Sequence, residues 1–313
     1  MHNQDAEISL ASAADSEPLL TLINLVQPHL PWTAAHLHWQ FFAPPAGPAK
    51  LYVVRQDDQI LSLYSAVPHA FSVGSGVIEA RMIQDVMTHP NARGQGYLHR
   101  LAAHCMQEIE RDNVVGYTFP NELSEGSFRR TGWTELLLVP SRKALITSHS
   151  HHPDITIQPN HGFREVETEI WNASGVAVGV RRDAPYLSWR YGKPNMDYRP
   201  FLVEHDRGML ILKLYREQGM SFVHILELTL RQSAIELLDQ TLRFCFDFAA
   251  THGAKELTAW LPAGHQYAAT FDAMGLTEQP RARFMFAYAP AELRSLVLDA
   301  AAWHLSQGDS DVY

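Results

Sequence analysis

Apolar residues recur at two spacings along this chain, and the order of those spacings lays out its elements. Ser16-Glu17-Pro18 opens a run with helical periodicity, so a helix is predicted over 19–26, with Ser16 as its cap and Pro18 in its first turn. Pro28 and Pro31 end it, and 33–42 predicts a second helix with Trp39, Phe41 and Phe42 among its apolar positions. The stretch 43–49 is rich in proline and reads as a loop. Apolar runs at 51–55 and 60–66 flank Gln56-Asp57-Asp58 and predict a hairpin, and 77–86 predicts another strand after a loop or short strand at 67–76. A helix over 98–111, a strand over 114–119, a short helix over 124–130 stopped by Gly132, and a strand over 133–139 follow.

The centre of this pattern is 82–101. Met82-Ile83 and Val86-Met87 are strand-like, and Pro90 breaks the run. Arg93-Gly94-Gln95-Gly96-Tyr97 comes next, and Leu98, Leu101, Ala102, Cys105 and Met106 then recur at helical spacing. A helix that starts on a glycine loop points unpaired N–H groups and its positive dipole end at whatever sits there. Glycines let the backbone approach a large oxygen-rich group closely. The reading is strand, diphosphate cradle, helix. Neither common nucleotide loop fits: G-x-x-x-x-G-K-[ST] is absent, and G-x-G-x-x-G would need glycine where His99 stands. Taken alone, such a turn more often binds nothing.

Composition narrows the partners. The 313 residues suit two domains, and the apolar content is that of a globular protein. A net charge of −9 argues against nucleic acid or an anionic membrane, so any anion site is local. Cys105 and Cys245 sit in helix-like apolar patterns and read as buried thiols in a reducing compartment. No signal segment or membrane-length apolar run is legible, so a cytoplasmic location is expected. His149, His151 and His152 lie close together, but without partner ligands at metal-site spacing they read as loop residues and no metal is expected.

Arg93, Gly96 and Leu98 resemble the acyl-CoA pyrophosphate loop of the GNAT superfamily, the GCN5-related N-acetyltransferases, whose pattern is Gln/Arg-x-x-Gly-x-Gly/Ala; Leu98 departs from it. Asn121, Ser124, Phe128, Arg130, Gly132 and Trp133 match the spacing of a second family motif, Asn-x-x-Ala-x-x-x-Tyr-x-Lys-x-Gly-Phe. The resemblance implies an α/β (α+β) GNAT fold, a mixed and mostly antiparallel sheet flanked by helices. It also implies acetyl-CoA or another acyl-CoA as co-substrate. Val86, Met87 and Thr88 would then offer backbone groups to the pantetheine arm. The N–H groups of Arg93, Gly94, Gln95, Gly96, Tyr97 and Leu98 would hold the pyrophosphate, and Asn121 would contact the cofactor arm or acyl carbonyl; the plainer reading of Asn121 is a turn residue.

Phe128 stands where the family Tyr protonates the departing thiolate, and phenylalanine has no proton to give. Ser124 and Ser127 are nearby hydroxyls, but serine is a poor general acid and a helix cap is the usual role. Asp85 is the first candidate for taking the proton from the substrate ammonium. A charged residue in an apolar strand usually has a purpose, although an ion pair to Arg81 weighs equally. Glu79 and His89 are weaker candidates, His89 reading as a turn residue before Pro90.

The expected division is a GNAT domain over 1–145, a linker over 146–160, and a second, degenerate GNAT-like domain over 161–313. Strands at 201–205, 209–215 and 221–230, a long helix over 233–250, a strand at 257–261, a helix at 267–274 stopped by Gly275, and a strand at 283–289 repeat the first half's order. No glycine lies between Leu230 and Ile235, so this half is expected to bind no CoA. Trp189, Arg190, Tyr191, Asp309 and Asp311 lie outside the CoA motifs and could line an acceptor site. The plainer reading is interdomain core for Trp189 and Tyr191 and a solvated tail for Asp309 and Asp311.

The expected activity is acyl transfer, acetyl by default, from acyl-CoA to a primary amine of a small molecule by direct attack in a ternary complex. No nucleic-acid or membrane partner is expected, and homodimerisation stays open. The alternative is a non-catalytic GNAT-like module that binds CoA or an amine ligand.

Overall fold

A computed structural model describes residues 7–122, 124–147, 153–262 and 264–310. Along the chain the elements are β1 (Ile8–Ala11), α1 (Ser16–Val26), α2 (Ala34–Leu37), β2 (Lys50–Gln56), β3 (Gln59–Val73), β4 (Gly76–Thr88), α3 (Tyr97–Asp112), β5 (Val115–Thr118), α4 (Glu125–Arg130) and β6 (Thr134–Leu145). After them come β7 (Ile157–Pro159), α5 (Glu165–Asn172), β8 (Val178–Val180), α6 (Ala184–Arg190), β9 (Tyr198–Val203), β10 (Gly208–Glu217) and β11 (Met220–Leu230). The chain then forms α7 (Leu238–Thr251), β12 (Ala254–Trp260), α8 (Ala268–Ala273), β13 (Thr277–Tyr288) and α9 (Arg294–Val297). It divides into two units, one holding the residues up to Phe71, Val77–Leu136 and Met285–Leu298, the other Ser72–Gly76, Leu137–Phe284 and the residues from Asp299.

In the first unit the strands run in the order β1-β2-β3-β4-β5-β13. Pairing is antiparallel except between β4 and β5, which run parallel from Ala80↔Val115 to Ile83↔Thr118 with α3 connecting them. A parallel pair needs such a crossover. The α3 helix buries Leu101, Ala102, Cys105, Met106 and Ile109, the spacing of a helix with one apolar face. Gly116 on β5 has a steric reason: a Cβ there would meet the Trp133 ring at 2.6 Å.

The second unit orders its strands β6-β12-β11-β10-β9-β7. Here too one pair is parallel, β11 with β12, joined by α7 and followed by a short helix and β13. The strand-helix-strand-helix-strand order of the first unit thus recurs in the second. Its core lies on the face where Leu212, Leu214, Val223, Ile225, Leu257 and Ala259 meet Leu242 and Cys245 of α7.

Several expected boundaries move. Ser16 is the first residue of α1 rather than its cap; Ser12 instead caps a short 3-10 turn before it, accepting from the Ala14 N–H at 3.3 Å. The second predicted helix is α only to Leu37 and then widens to a π turn over His38–Phe42. β3 continues through most of the stretch read as a loop or short strand, because Val67, Phe71 and Val73 are buried on it. The helix predicted over 233–250 starts as a 3-10 turn, Gln232–Leu237, before α7. Both cysteines are free and buried, as their patterns indicated.

Candidate active site

The site is built where β4 outruns β5. Beyond the last parallel pair, Ile83↔Thr118, β4 continues to Thr88. The strand does not continue straight. Asp85 has φ +48°, a left-handed conformation that a non-glycine residue in a strand adopts only when its surroundings impose it. Around this residue the Ser65 hydroxyl donates to the Gln84 carbonyl at 2.6 Å and the Ser62 hydroxyl to the Met87 carbonyl at 3.0 Å. Side-chain donors thus hold β4 carbonyls on either side of Asp85. Val86 and Thr88 are half-buried and Met87 is buried.

Arg81 does not serve Asp85 in the way one reading of the sequence supposed. Its guanidinium is buried and bonds Glu79 at 2.8 Å and Asp112 at 2.6 Å. Lys50 and Arg111 also bond Asp112, and hydrogen bonds from Arg81 and Lys50, the leading causes, hold that carboxyl well below the usual range. Glu79 is thereby a structural partner of Arg81. His89 proves a turn residue: its Nδ1 accepts from the Asn91 N–H at 3.2 Å.

The glycine loop is exposed from Arg93 to Gly96, while Tyr97 is buried and Leu98 half-buried. Gly94 and Gly96 both have φ +78°, and a Cβ built on either would meet no atom within 4 Å. Gly96 is the residue on which α3 begins. The Arg93 N–H leans on the Pro90 carbonyl at 3.4 Å. Among the described residues, the N–H groups of Gly94, Gly96 and Leu98 make no hydrogen bond. Three donors therefore remain, among the described residues, at the positive end of a 16-residue helix. A polyanion such as a diphosphate is the ligand class this arrangement fits.

The equivalent turn in the second unit is spent internally. Leu230 N–H donates to the Tyr267 hydroxyl at 3.2 Å, and Gln232 N–H to the Ala173 carbonyl at 2.8 Å. Ala234 N–H donates to the Arg231 carbonyl at 2.8 Å. Donors already used inside the fold cannot hold a phosphate.

Asn121 and Ser124 come together at the start of α4. The Asn121 carboxamide oxygen accepts from the Ser124 N–H at 3.1 Å and from its hydroxyl at 3.1 Å. Asn121 is exposed and Ser124 buried, so in this arrangement the pair caps the helix, and the Ser124 proton is directed at Asn121. Phe128 is buried, with its ring centroid 5.5 Å from Trp133, 6.2 Å from Phe286 and 6.4 Å from Tyr64. Gly132, at φ +86°, closes α4, and the Trp133 N–H reaches back to the Phe128 carbonyl at 3.4 Å.

Of the residues placed outside the CoA motifs, Asp309 is not in a solvated tail. It is 4% exposed and bonds Arg182, itself buried, at 2.8 Å. Arg190 is buried and bonds the Gly308 and Ser310 carbonyls at 2.8 and 2.7 Å. Tyr191 is half-buried by its surface and ring-stacks edge-on against Tyr198. Trp189 lies at the end of α6, its ring 5.8 Å from that of Tyr186. Asp311, His149, His151 and His152 lie outside the described residues. No sequence signal flagged Arg182 and Glu227, which bond at 2.6 Å with both side chains buried.

Comparison with known proteins bears on the fold and on the family of the first unit. Residues 7–136 match the family described as acetyltransferase (GNAT) domain. No curated protein matches the sequence. Among solved structures, a GCN5-related N-acetyltransferase from Anabaena variabilis is similar over 90% of this chain and 72% of its own, at 14% identity and TM-score 0.66. A conserved protein of unknown function from Enterococcus faecalis, described as a probable N-acyltransferase, is similar over 93% and 74%, at 13% identity and TM-score 0.69. A tandem GNAT protein from the clavulanic acid biosynthesis pathway is similar over 92% of this chain and all of its own, at 11% identity and TM-score 0.61. The match to the acetyltransferase (GNAT) family thus covers residues 7–136, and the chain shares the fold of solved GNAT proteins, a tandem member among them.

Proposed function

We propose that the protein is an acyl-CoA-dependent N-acyltransferase that moves an acetyl or other short acyl group to the primary amine of a small molecule. The observation that carries this reading is the set of N–H groups at Gly94, Gly96 and Leu98 that make no hydrogen bond among the described residues, in the loop after the strand that outruns its neighbour. The thioester carrier's diphosphate sits at Arg93–Leu98 and its arm runs along Val86–Thr88. The amine, once neutral, attacks the thioester carbonyl; the C–S bond breaks and coenzyme A leaves as thiol or thiolate. Orientation of the two reactants in one complex supplies much of the rate. Asp85, in a left-handed conformation near that strand end, accepts the ammonium proton, directly or through water. With Phe128 in the aromatic core, the thiolate leaves without a phenol at that position. A thiol pKa of about 8.5 makes such a departure feasible near neutrality.

The test is release of free thiol from acetyl-CoA in the presence of a panel of small amines. Amine-dependent thiol release supports the transferase. Phe128 favours a second reading, a module that binds CoA without turnover; thermal stabilisation by CoA with no thiol released for any amine would establish that one instead.

A further inference from the structure

The second unit carries a polar row that the acyl-transfer reading does not use. Tyr198 of β9 pairs in register with Lys213 of β10, Lys213 with His224 of β11, and His224 with Thr258 of β12. Residues at paired positions share a face of the sheet. This is the face away from Leu212, Leu214, Val223 and Ile225, which alternate with the row into the apolar core.

Lys213 is 6% exposed. Among the described residues its ammonium forms no ion pair and no hydrogen bond; its nearest aromatic contact is the Tyr215 ring, 5.6 Å away. The charge that acts on it is another cation, Arg190. The buried carboxylates on this side of the unit are committed elsewhere. Glu227 bonds Arg182 at 2.6 Å and His304 at 2.9 Å, and Asp309 bonds Arg182 at 2.8 Å. His224 adds no charge: burial, then Lys213, brings it down to about 4, and its Nδ1 lies 2.6 Å from the Thr258 hydroxyl. Burial, then Arg190, brings Lys213 down to about 8, so at neutral pH it is still mostly an ammonium. A buried cation without a counter-charge is costly unless a ligand supplies one.

We propose that the Lys213 row is a binding site for a small carboxylate, held by the Lys213 ammonium. One carboxylate supplies the single negative charge that the Lys213 ammonium lacks among the described residues.

The test is thermal unfolding of the full chain at pH 7 with sodium acetate, sodium phosphate or sodium chloride at equal ionic strength. Acetate is expected to raise Tm saturably by several degrees over chloride. Lys213→Met is expected to abolish that rise and to have a higher Tm than the parent without acetate, since it removes a buried charge with no partner among the described residues. An acetate effect no larger than that of chloride, or one that survives in Lys213→Met, overturns the proposal. A larger effect of phosphate than of acetate overturns the choice of a carboxylate. Because the variant itself could misfold, the parent protein with 13C-labelled lysine gives an independent readout: acetate should shift the Lys213 side-chain resonance, and an unmoved resonance overturns the site.

Discussion

Asp85 and Phe128 carry the chemistry of this account, and they differ in how far the sequence revealed them. Asp85 was legible because a carboxylate in an apolar strand asks for a reason. Its backbone conformation was not, since a left-handed residue inside a strand is imposed by tertiary packing and leaves no local pattern. Phe128 was legible only as a departure from a motif; its burial against Trp133 and Phe286 needed the fold. If Asp85 is the base, Asp85→Asn lowers kcat by about 10²- to 10⁴-fold and moves the ascending limb of the pH profile to higher pH, because only amine already neutral in solution then reacts. Rates measured against pH for the parent and the variant decide this, and an unchanged profile removes Asp85 from the role.

At the scale of elements, the hydrophobic periodicity located nearly every helix and long strand of the first unit. The errors fall where side chains override local preference. β3 runs on to Val73 because its buried positions pack on both faces, which cancels the alternation that would have marked it. The short strand β8 was missed for a related reason: three residues carry no readable period. The packing of Trp133 over β5 was likewise hidden, since nothing in the sequence pairs Gly116 with a residue seventeen positions on (133 − 116). That contact makes a prediction. Gly116→Ala places a methyl against the ring at 2.6 Å and should destabilise the protein by about 1–3 kcal/mol, read by denaturant unfolding. A variant as stable as the parent would show that the ring yields freely.

For the molecule as a whole, the tandem pattern was visible in the repeated order of strands and helices. What each half does with its strand-to-helix turn was visible only in part. The missing glycines after Leu230 were legible, while the Tyr267 hydroxyl and Ala173 carbonyl that take up that turn's N–H groups come from distant positions. The buried Arg182–Glu227–Asp309 group was illegible because its members are spread over the second half of the sequence. Buried histidines set a pH response. Burial, then Lys213, brings His224 down to about 4; burial, then His304, brings His265 down to about 3. Between those values and the ordinary value of about 6.5, the unfolded chain binds protons that the folded chain does not, so stability falls as pH drops through that window. Tm should decline from pH 7 to pH 5, less steeply in His224→Gln, and a flat Tm would contradict the assignment. The claim on which the account rests is that the amides after Arg93 grip a thioester carrier's diphosphate. Amide 1H–15N spectra recorded during titration with coenzyme A test it most directly. The account predicts saturable shifts at Gly94, Gly96 and Leu98; binding that leaves those three amides unmoved, or no binding at all, would contradict it.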